Sequence, residues 1–338
     1  VNSIFPWYVS MRMAPLRFPL ILTPTPCHRL DRASAHLGID LWIKRDDLTG
    51  FALGGNKGRK LEYLIADALA CGADTVVTCG AVESNFVRQL AAACRVAGLE
   101  CHAAVMAMPF DEEAGEIKVT LVRSVNARIL PILGCKTHVF DNADWEVLYD
   151  QMEKIAQSLE REGKSVYRVP VGGSSALGAF AFYQAAKEIP GDFEYIIHAS
   201  SSGSTQVGLT SFFKKTNTKV IGIACDPEPA IVNDFAILSG SLSTDELLRD
   251  EGPFPILGPS DFDLRLDYVG PGYGVPSEKG DAAISWLAQT EGIFLDPIYS
   301  GKAFSGLLDL VEKKEVAGKV LFWHTGGMPS LFSEFESA

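Results

Sequence analysis

Residues 51–64 read FALGGNKGRKLEYL. Two glycines and an asparagine lead directly into Lys57, after which Leu61, Leu64, Ile65 and Ala68 recur at i, i+3, i+4 and i+7, the apolar stripe of an amphipathic helix. Gly72 stops that helix, and DTVVTCG (74–80) follows as a β-branched strand. The unit then repeats: SNFVRQLAAACRVAG (84–98) carries Val87, Leu90, Ala91 and Cys94 on one stripe, and CHAAVM (101–106) reads as a strand.

Further on, WEVLYDQMEKIAQSLEREG (145–163) is a long amphipathic helix and SVYRVP (165–170) a strand. The second half continues the alternation through EYIIHASSSGSTQVGLTSFF, KVIGIAC, GIFLDPIYSGKAFSGLLDLV and KVLFWHTGGMPSLF. Strands alternating with helices imply a mainly parallel sheet covered on both faces, with ligands at the carboxyl ends of the strands. Four strand-to-helix turns are therefore candidate binding loops: Ala81 to Asn85, Ser200 to Thr205, Tyr299 to Lys302, and Thr325 to Met328.

Lys57 has the setting of a carbonyl-attacking amine. A lysine must be neutral to attack, and its ordinary pKa near 10.4 keeps it protonated at neutral pH. A helix N-terminus, the neighbouring cations Arg59 and Lys60, and partial burial would all disfavour the ammonium form. Gly54 and Gly55 let the backbone approach a flat ligand. Taken alone, the tetrapeptide GGNK is read sooner as a helix cap with an exposed lysine, because short motifs recur by chance; its company changes that.

SSSGSTQVG lies between an apolar strand and a helix, so its amides and hydroxyls could converge on an anion. It lacks the Gly-Lys-Ser/Thr of a Walker loop and the G-x-G-x-x-G of a dinucleotide site, and a plain serine-rich cap is the alternative. AVESNFVRQ offers Ser84 and Asn85 at a second helix start, a seat for a carboxylate or simply an N-cap. Tyr273 in GPGYGVP and Tyr299 in DPIYSGK stand among glycines and prolines, where a ring is less often core than on a helix stripe. No zinc-ligand spacing and no G-x-S-x-G elbow occurs, and His324, at the end of VLFWH, reads as a satisfied core residue.

The chain has 338 residues, 47% apolar and 21% charged, enough for two domains. A net charge of −12 without a basic, aromatic-interleaved stripe argues against a nucleic-acid surface and for a small-molecule substrate. Seven cysteines without CxxC pairing fit reduced thiols in a cytoplasmic protein. No run reaches the length of a membrane span, and the proline-broken start, residues 1–26, is expected to pack or fray as an extension.

In this order, IKRDDLTG, GGNKGRKLEYLIADAL, ESNFVRQ, PVGGSSALG, SGSTQ, GPGYGVP, LDPIYSGK and HTGGMPSL resemble the fold type II pyridoxal-phosphate enzymes. Within them the likeness is to the family of D-cysteine desulfhydrase and 1-aminocyclopropane-1-carboxylate deaminase, over nearly the whole chain. The resemblance implies a tryptophan synthase β-like α/β fold of two three-layer domains. Residues 1–58 and 174–338 would form the large cofactor-binding domain, and residues 59–173 a small inserted α/β domain. It implies pyridoxal 5'-phosphate as cofactor, joined to Lys57 as a Schiff base, and a homodimer. Lys60 would help hold the phosphate, with Gly203, Ser204 and Thr205 as its main cradle. Asn85 would bond the phenolic oxygen, Ser84 the substrate carboxylate, Tyr299 would lie against the pyridine ring, and Tyr273 would face the substrate.

Deaminases of the group carry a glutamate after the DPxY tyrosine and a leucine in the HxGG turn, where this chain has Ser300 and Thr325. A carboxylate near the ring nitrogen strengthens the electron sink that ring opening needs; neutral hydroxyls suit β-elimination. The expected reaction is therefore α,β-elimination from a small β-substituted amino acid, foremost D-cysteine. Cα deprotonation would fall to Lys57, with Ser84 and Tyr299 as rivals. The ring-opening deaminase, elimination from D-serine, β-chloroalanine or L-cysteate, and a catalytically silent binding protein are the alternatives. Glu83 and Phe86 depart from the family's glutamine and histidine or glutamine. Glu83 would repel a second anionic group such as that of L-cysteate, unless it points away and pairs with an arginine such as Arg88.

Overall fold

The computed structural model describes residues 15–106, 119–140 and 144–337. In chain order these form β1 (Cys27–Arg29), α1 (Asp31–Leu37), β2 (Asp40–Arg45), α2 (Lys57–Ala70), β3 (Thr75–Ala81), α3 (Asn85–Ala97), β4 (Glu100–Met106), β5 (Val119–Arg123), α4 (Val125–Ile132), β6 (Lys136–Phe140) and α5 (Trp145–Arg161). There follow β7 (Val166–Val169), α6 (Ala176–Ala186), β8 (Tyr195–Ser200), α7 (Ser204–Phe213), β9 (Lys219–Ala224), α8 (Ile231–Thr244), β10 (Asp263–Arg265), α9 (Glu278–Glu291), α10 (Ser300–Glu312), β11 (Lys319–His324) and β12 (Glu334–Ser337).

The strands sort into two main sheets. One has the order β1-β2-β11-β8-β9-β10, parallel except where β1 meets β2; the other, β6-β4-β3-β7, is parallel throughout. All seven residues of β3 are buried, which is why TVVTCGA shows no in-out alternation: helices cover both faces. Burial of Leu61, Leu64 and Ile65 on α2 against Val87, Leu90 and Cys94 on α3, with Val76 and Cys101 beneath, builds one core. Leu41, Ile43, Ile197, Phe304, Leu307 and Phe322 build another under the larger sheet. Each fully buried leucine or phenylalanine contributes about 1.5–3 kcal/mol.

Ends of helices follow their sequence signals. Ser84, Ser124, Asp144, Ser175 and Ser277 each accept a backbone N–H of the first turn that follows, and Gly98 and Gly292 close α3 and α9 in the left-handed conformation. The segment before α10 departs from the alternation: no strand forms at 292–297. Instead the Asp296 carboxylate accepts the amides of Ile298, Tyr299 and Ser300, a compact turn that launches α10. The proline-rich start packs from residue 15 onward, the Glu62 carboxylate accepting the amides of Leu20 and Ile21; residues 1–14 lie outside the described chain. None of the described helices is long and apolar enough to cross a membrane.

Candidate active site

The carboxyl ends of β3, β8 and β11 open onto one cleft, closed on its other side by the start of α2 and the turn before α10. Lys57, Ser84, Asn85, Gly203, Thr205, Tyr273, Tyr299 and Thr325 all line it. Lys60, Ser204 and Ser300 do not. The Lys60 ammonium instead donates to Gly172 O at 2.8 Å, behind the wall. Ser204 Oγ donates to Gly173 O and approaches Ser174 Oγ, so only its backbone remains at the head of α7. The Ser300 hydroxyl donates to Asp296 Oδ1 at 2.5 Å and accepts the Asp296 amide; its turn consumes it, and it does not project toward a ring in the cleft.

The glycines before Lys57 are there for close approach. Gly54 and Gly55 have φ of 75° and 117°, and the Asn56 amide donates to Thr325 O at 2.9 Å. A Cβ on Gly326 would stand 2.4 Å from the Gly55 Cα, so GGN and TGG pack backbone on backbone. Asn56 Nδ2 bonds Thr205 Oγ1 at 3.3 Å and joins the head of α2 to that of α7.

Burial depresses the Lys57 pKa to about 8, opposed by Cys225 and Asp296. The neighbouring cations contribute less than the sequence suggests, because Arg59 is spent on Asp46 and Glu188. Lys57 keeps some exposure because it faces the cleft. Burial first, then Lys57, holds Lys60 well below its ordinary value.

Tyr273 and Tyr299 meet hydroxyl to hydroxyl at 2.7 Å, and burial pushes both phenols above their ordinary range. They are protonated at neutral pH and suited to donate. Ser84 Oγ accepts from the Val87 amide at 3.3 Å, which leaves its proton for a ligand at the head of α3.

The head of α7 suits an anion. It has no side-chain cap, and Gly203 adopts φ 96° where a Cβ would meet the Phe235 ring at 2.6 Å. Ser200 Oγ, in the cleft wall, has no protein partner. An enclosed amine at one end and free helix amides at the other fit an aldehyde bearing a phosphate ester.

Residues 19–326 match the profile of the pyridoxal-phosphate dependent enzyme family. The chain belongs to that family. It is 39% identical over 335 residues to D-cysteine desulfhydrase of Yersinia enterocolitica, covering 94% of this chain and 95% of that protein. With the D-cysteine desulfhydrase of Serratia proteamaculans the identity is 40% over 336 residues, covering 94% and 95%. Among solved structures, an ACC deaminase homologue superposes with a TM-score of 0.82 at 35% identity, covering 94% of this chain and 93% of that one. O-ureido-L-serine synthase, at 19% identity and a TM-score of 0.62 over 91% and 90% of the two chains, shares the fold. The architecture is that of the fold type II enzymes, and the cofactor is pyridoxal phosphate.

In this fold type II site, Glu83 turns away from the cleft. Its carboxylate accepts from Ser124, Ser330, Ser333 and Asn126; its hydrogen-bond link to Arg88 runs through Asn126, and its charge also acts on Arg88 directly. Glu83 does not touch the cleft, and its charge reaches the site only at a distance, where it adds to the rise in the Tyr273 pKa. Phe86 does line the cleft, as does Trp145, whose ring meets Tyr273 edge-on at 6.1 Å. Trp145 was legible only as a helix residue; its place after β6, at the carboxyl end of a parallel sheet, was the available signal. His324 is a satisfied core residue: Nδ1 accepts from the Gly326 amide, and Nε2 donates to Phe294 O.

Proposed function

We propose that this chain is a D-cysteine desulfhydrase: it removes the Cα proton, the Cβ–S bond breaks to release hydrosulfide, and the 2-aminoacrylate left behind hydrolyses to pyruvate and ammonia. The observation that carries the reading is the enclosed Lys57 amine, held near neutrality in a cleft that no carboxylate lines among the described residues. When bound, the cofactor supplies the electron sink for the pair left at Cα.

The protein's own groups do the rest. Lys57 would hold the cofactor, and its amine is the group placed to take the Cα proton, since burial keeps the rival Tyr299 protonated. Ser84 and the first amides of α3 seat the substrate carboxylate. Gly203, Ser204 and Thr205 would take the phosphate with backbone amides, Lys60 acting only from behind the wall, and Asn85 would donate to the phenolic oxygen. Of the other cleft residues, Tyr299 would pack against the ring, Thr325 would border it, and Tyr273 would face the β-substituent.

We read residues 59–173 as the small inserted domain; β3, β4, β6 and β7 all fall within it. The protein is a cytoplasmic homodimer in this reading: seven free thiols support the first, and family resemblance the second.

Ring opening is the second reading, favoured by the ACC deaminase homologue. Incubating the purified protein with D- and L-amino acids and the cyclopropane substrate decides between them. Pyruvate and sulfide from D-cysteine are expected; 2-oxobutanoate without sulfide would move the assignment to the deaminase.

A further inference from the structure

Arg88, on the first turn of α3 three residues after Asn85, is wholly buried against the loop that delivers Lys57. No ion pair holds it among the described residues. Its Nε donates to Ala52 O at 3.1 Å and Nη2 to Gly54 O at 3.4 Å. Nη1 donates to Asn85 Oδ1 and to Asn126 Oδ1, each at 2.5 Å.

A guanidinium has donors only, so the amide atom facing it must be oxygen. Arg88 thereby sets the orientation of both asparagines. Asn126 Nδ2 is turned to Glu83 O at 2.7 Å, Glu83 Oε1 at 3.2 Å and Asn85 Oδ1 at 3.3 Å. The Asn85 oxygen accepts from two sides, which leaves the donor group Nδ2 for the cleft that Asn85 lines. Arg88 also braces the approach to Lys57. Ala52 and Leu53 are non-glycine residues with φ of 44° and 68°, a costly conformation, and the Arg88 bonds fall on the carbonyls of Ala52 and Gly54 around them.

We infer that Arg88 and Asn126 are positioning residues: together they lock the Asn85 amide with its donor toward the cofactor and hold the loop that presents Lys57. The inference rests on the proposed role of Asn85 as donor to the phenolic oxygen.

The test is the pH at which the visible band of the cofactor-loaded protein titrates. A donor to the phenolic oxygen favours its ionised form, so losing the donor moves the midpoint up. N85L is expected to raise it by about one unit, the loss of one hydrogen bond to a charged group. N126L should raise it by about half a unit or more, and N85L combined with N126L no further than N85L alone. R88K cannot span four acceptors, so it should shift the midpoint the same way and serves where N126L does not fold. A midpoint unmoved in N85L overturns the role of Asn85 and this inference with it. A midpoint moved in N85L but unchanged in folded N126L or R88K, whatever their melting temperatures, overturns this inference alone.

Discussion

The Tyr273 and Tyr299 hydroxyls share one hydrogen bond, 2.7 Å long, in the cleft wall. Because burial raises both phenols, neither ionises below about pH 10, and the pair can relay a donated proton without acting as a base. Y299F should lower kcat/KM by about 10²-fold, the low end of acid–base contributions, and Y273F by about tenfold, the scale of one neutral hydrogen bond. Steady-state kinetics on D-cysteine checks both. The Tyr273 loop is itself pinned by Lys302 Nζ on Gly272 O at 2.8 Å, so K302M should mimic Y273F with the hydroxyl intact.

Lys57 should show its depressed basicity before any substrate is present. With a pKa of about 8, ~10% of the amine is neutral at pH 7, against ~0.04% for an ordinary lysine. The rate at which cofactor-free protein takes up the cofactor should therefore rise through pH 7–9 with a midpoint near 8. Stopped-flow absorbance measures it. A rate still climbing tenfold per pH unit at pH 9 would show the amine to be solvated and its basicity unperturbed.

The parts of the fold written in periodicity were legible. Residues 57–70, 85–97 and 145–161 are helices where the apolar stripes place them, and the buried strands at 75–81 and 319–324 follow from continuous β-branched or aromatic runs. Loops rich in glycine and serine at strand ends marked the cleft for the same reason. Less local features were not legible. Whether the hydroxyl of Ser300 faces a ligand or Asp296 depends on a turn that a carboxylate organises, and the sequence predicted neither that turn nor the missing strand before it. Pairing of β12 with β5 joins residues more than two hundred positions apart, and no pattern in either segment announces it. The destination of Glu83 has the same origin: Ser330 and Ser333, which claim it, come from the far end of the chain.

Gly326 should tolerate no side chain. An added Cβ would lie 2.4 Å from the Gly55 Cα, and the φ of 94° disfavours any L-residue. Overpacking costs about 1–3 kcal/mol and the left-handed backbone about 1–2 more, so G326A should lose about 2–5 kcal/mol in urea unfolding. G72A, where a Cβ meets nothing within 4 Å although φ is 73°, isolates the backbone part and should lose only about 1–2 kcal/mol. Equal losses in the two variants would refute the steric account.

Arg59 ties the head of α2 to the larger sheet through Asp46, and that pair should set the protein's acid limit. Its guanidinium meets Asp46 at 2.7 Å and Glu188 at 2.7 Å, while Trp323 Nε1 donates to Asp46 Oδ2 at 2.8 Å. Burial would push the Asp46 carboxyl up, but the charge and bonds of Arg59, with Trp323 and Lys44, outweigh it and hold the group below its ordinary value. A carboxyl depressed in the folded state adds stability that is complete above its unfolded pKa of about 4 and drains away as pH falls through the lower folded value. D46A should therefore cost about 1.5–3 kcal/mol at pH 7, the scale of losing charge-assisted hydrogen bonds while Arg59 keeps Glu188 as its partner. The difference between D46A and the parent should narrow as the pH is lowered below about 4. Urea unfolding at pH 7, 5 and 3 measures it, and a D46A penalty that stays constant across that range would show that the charge of Asp46 contributes nothing.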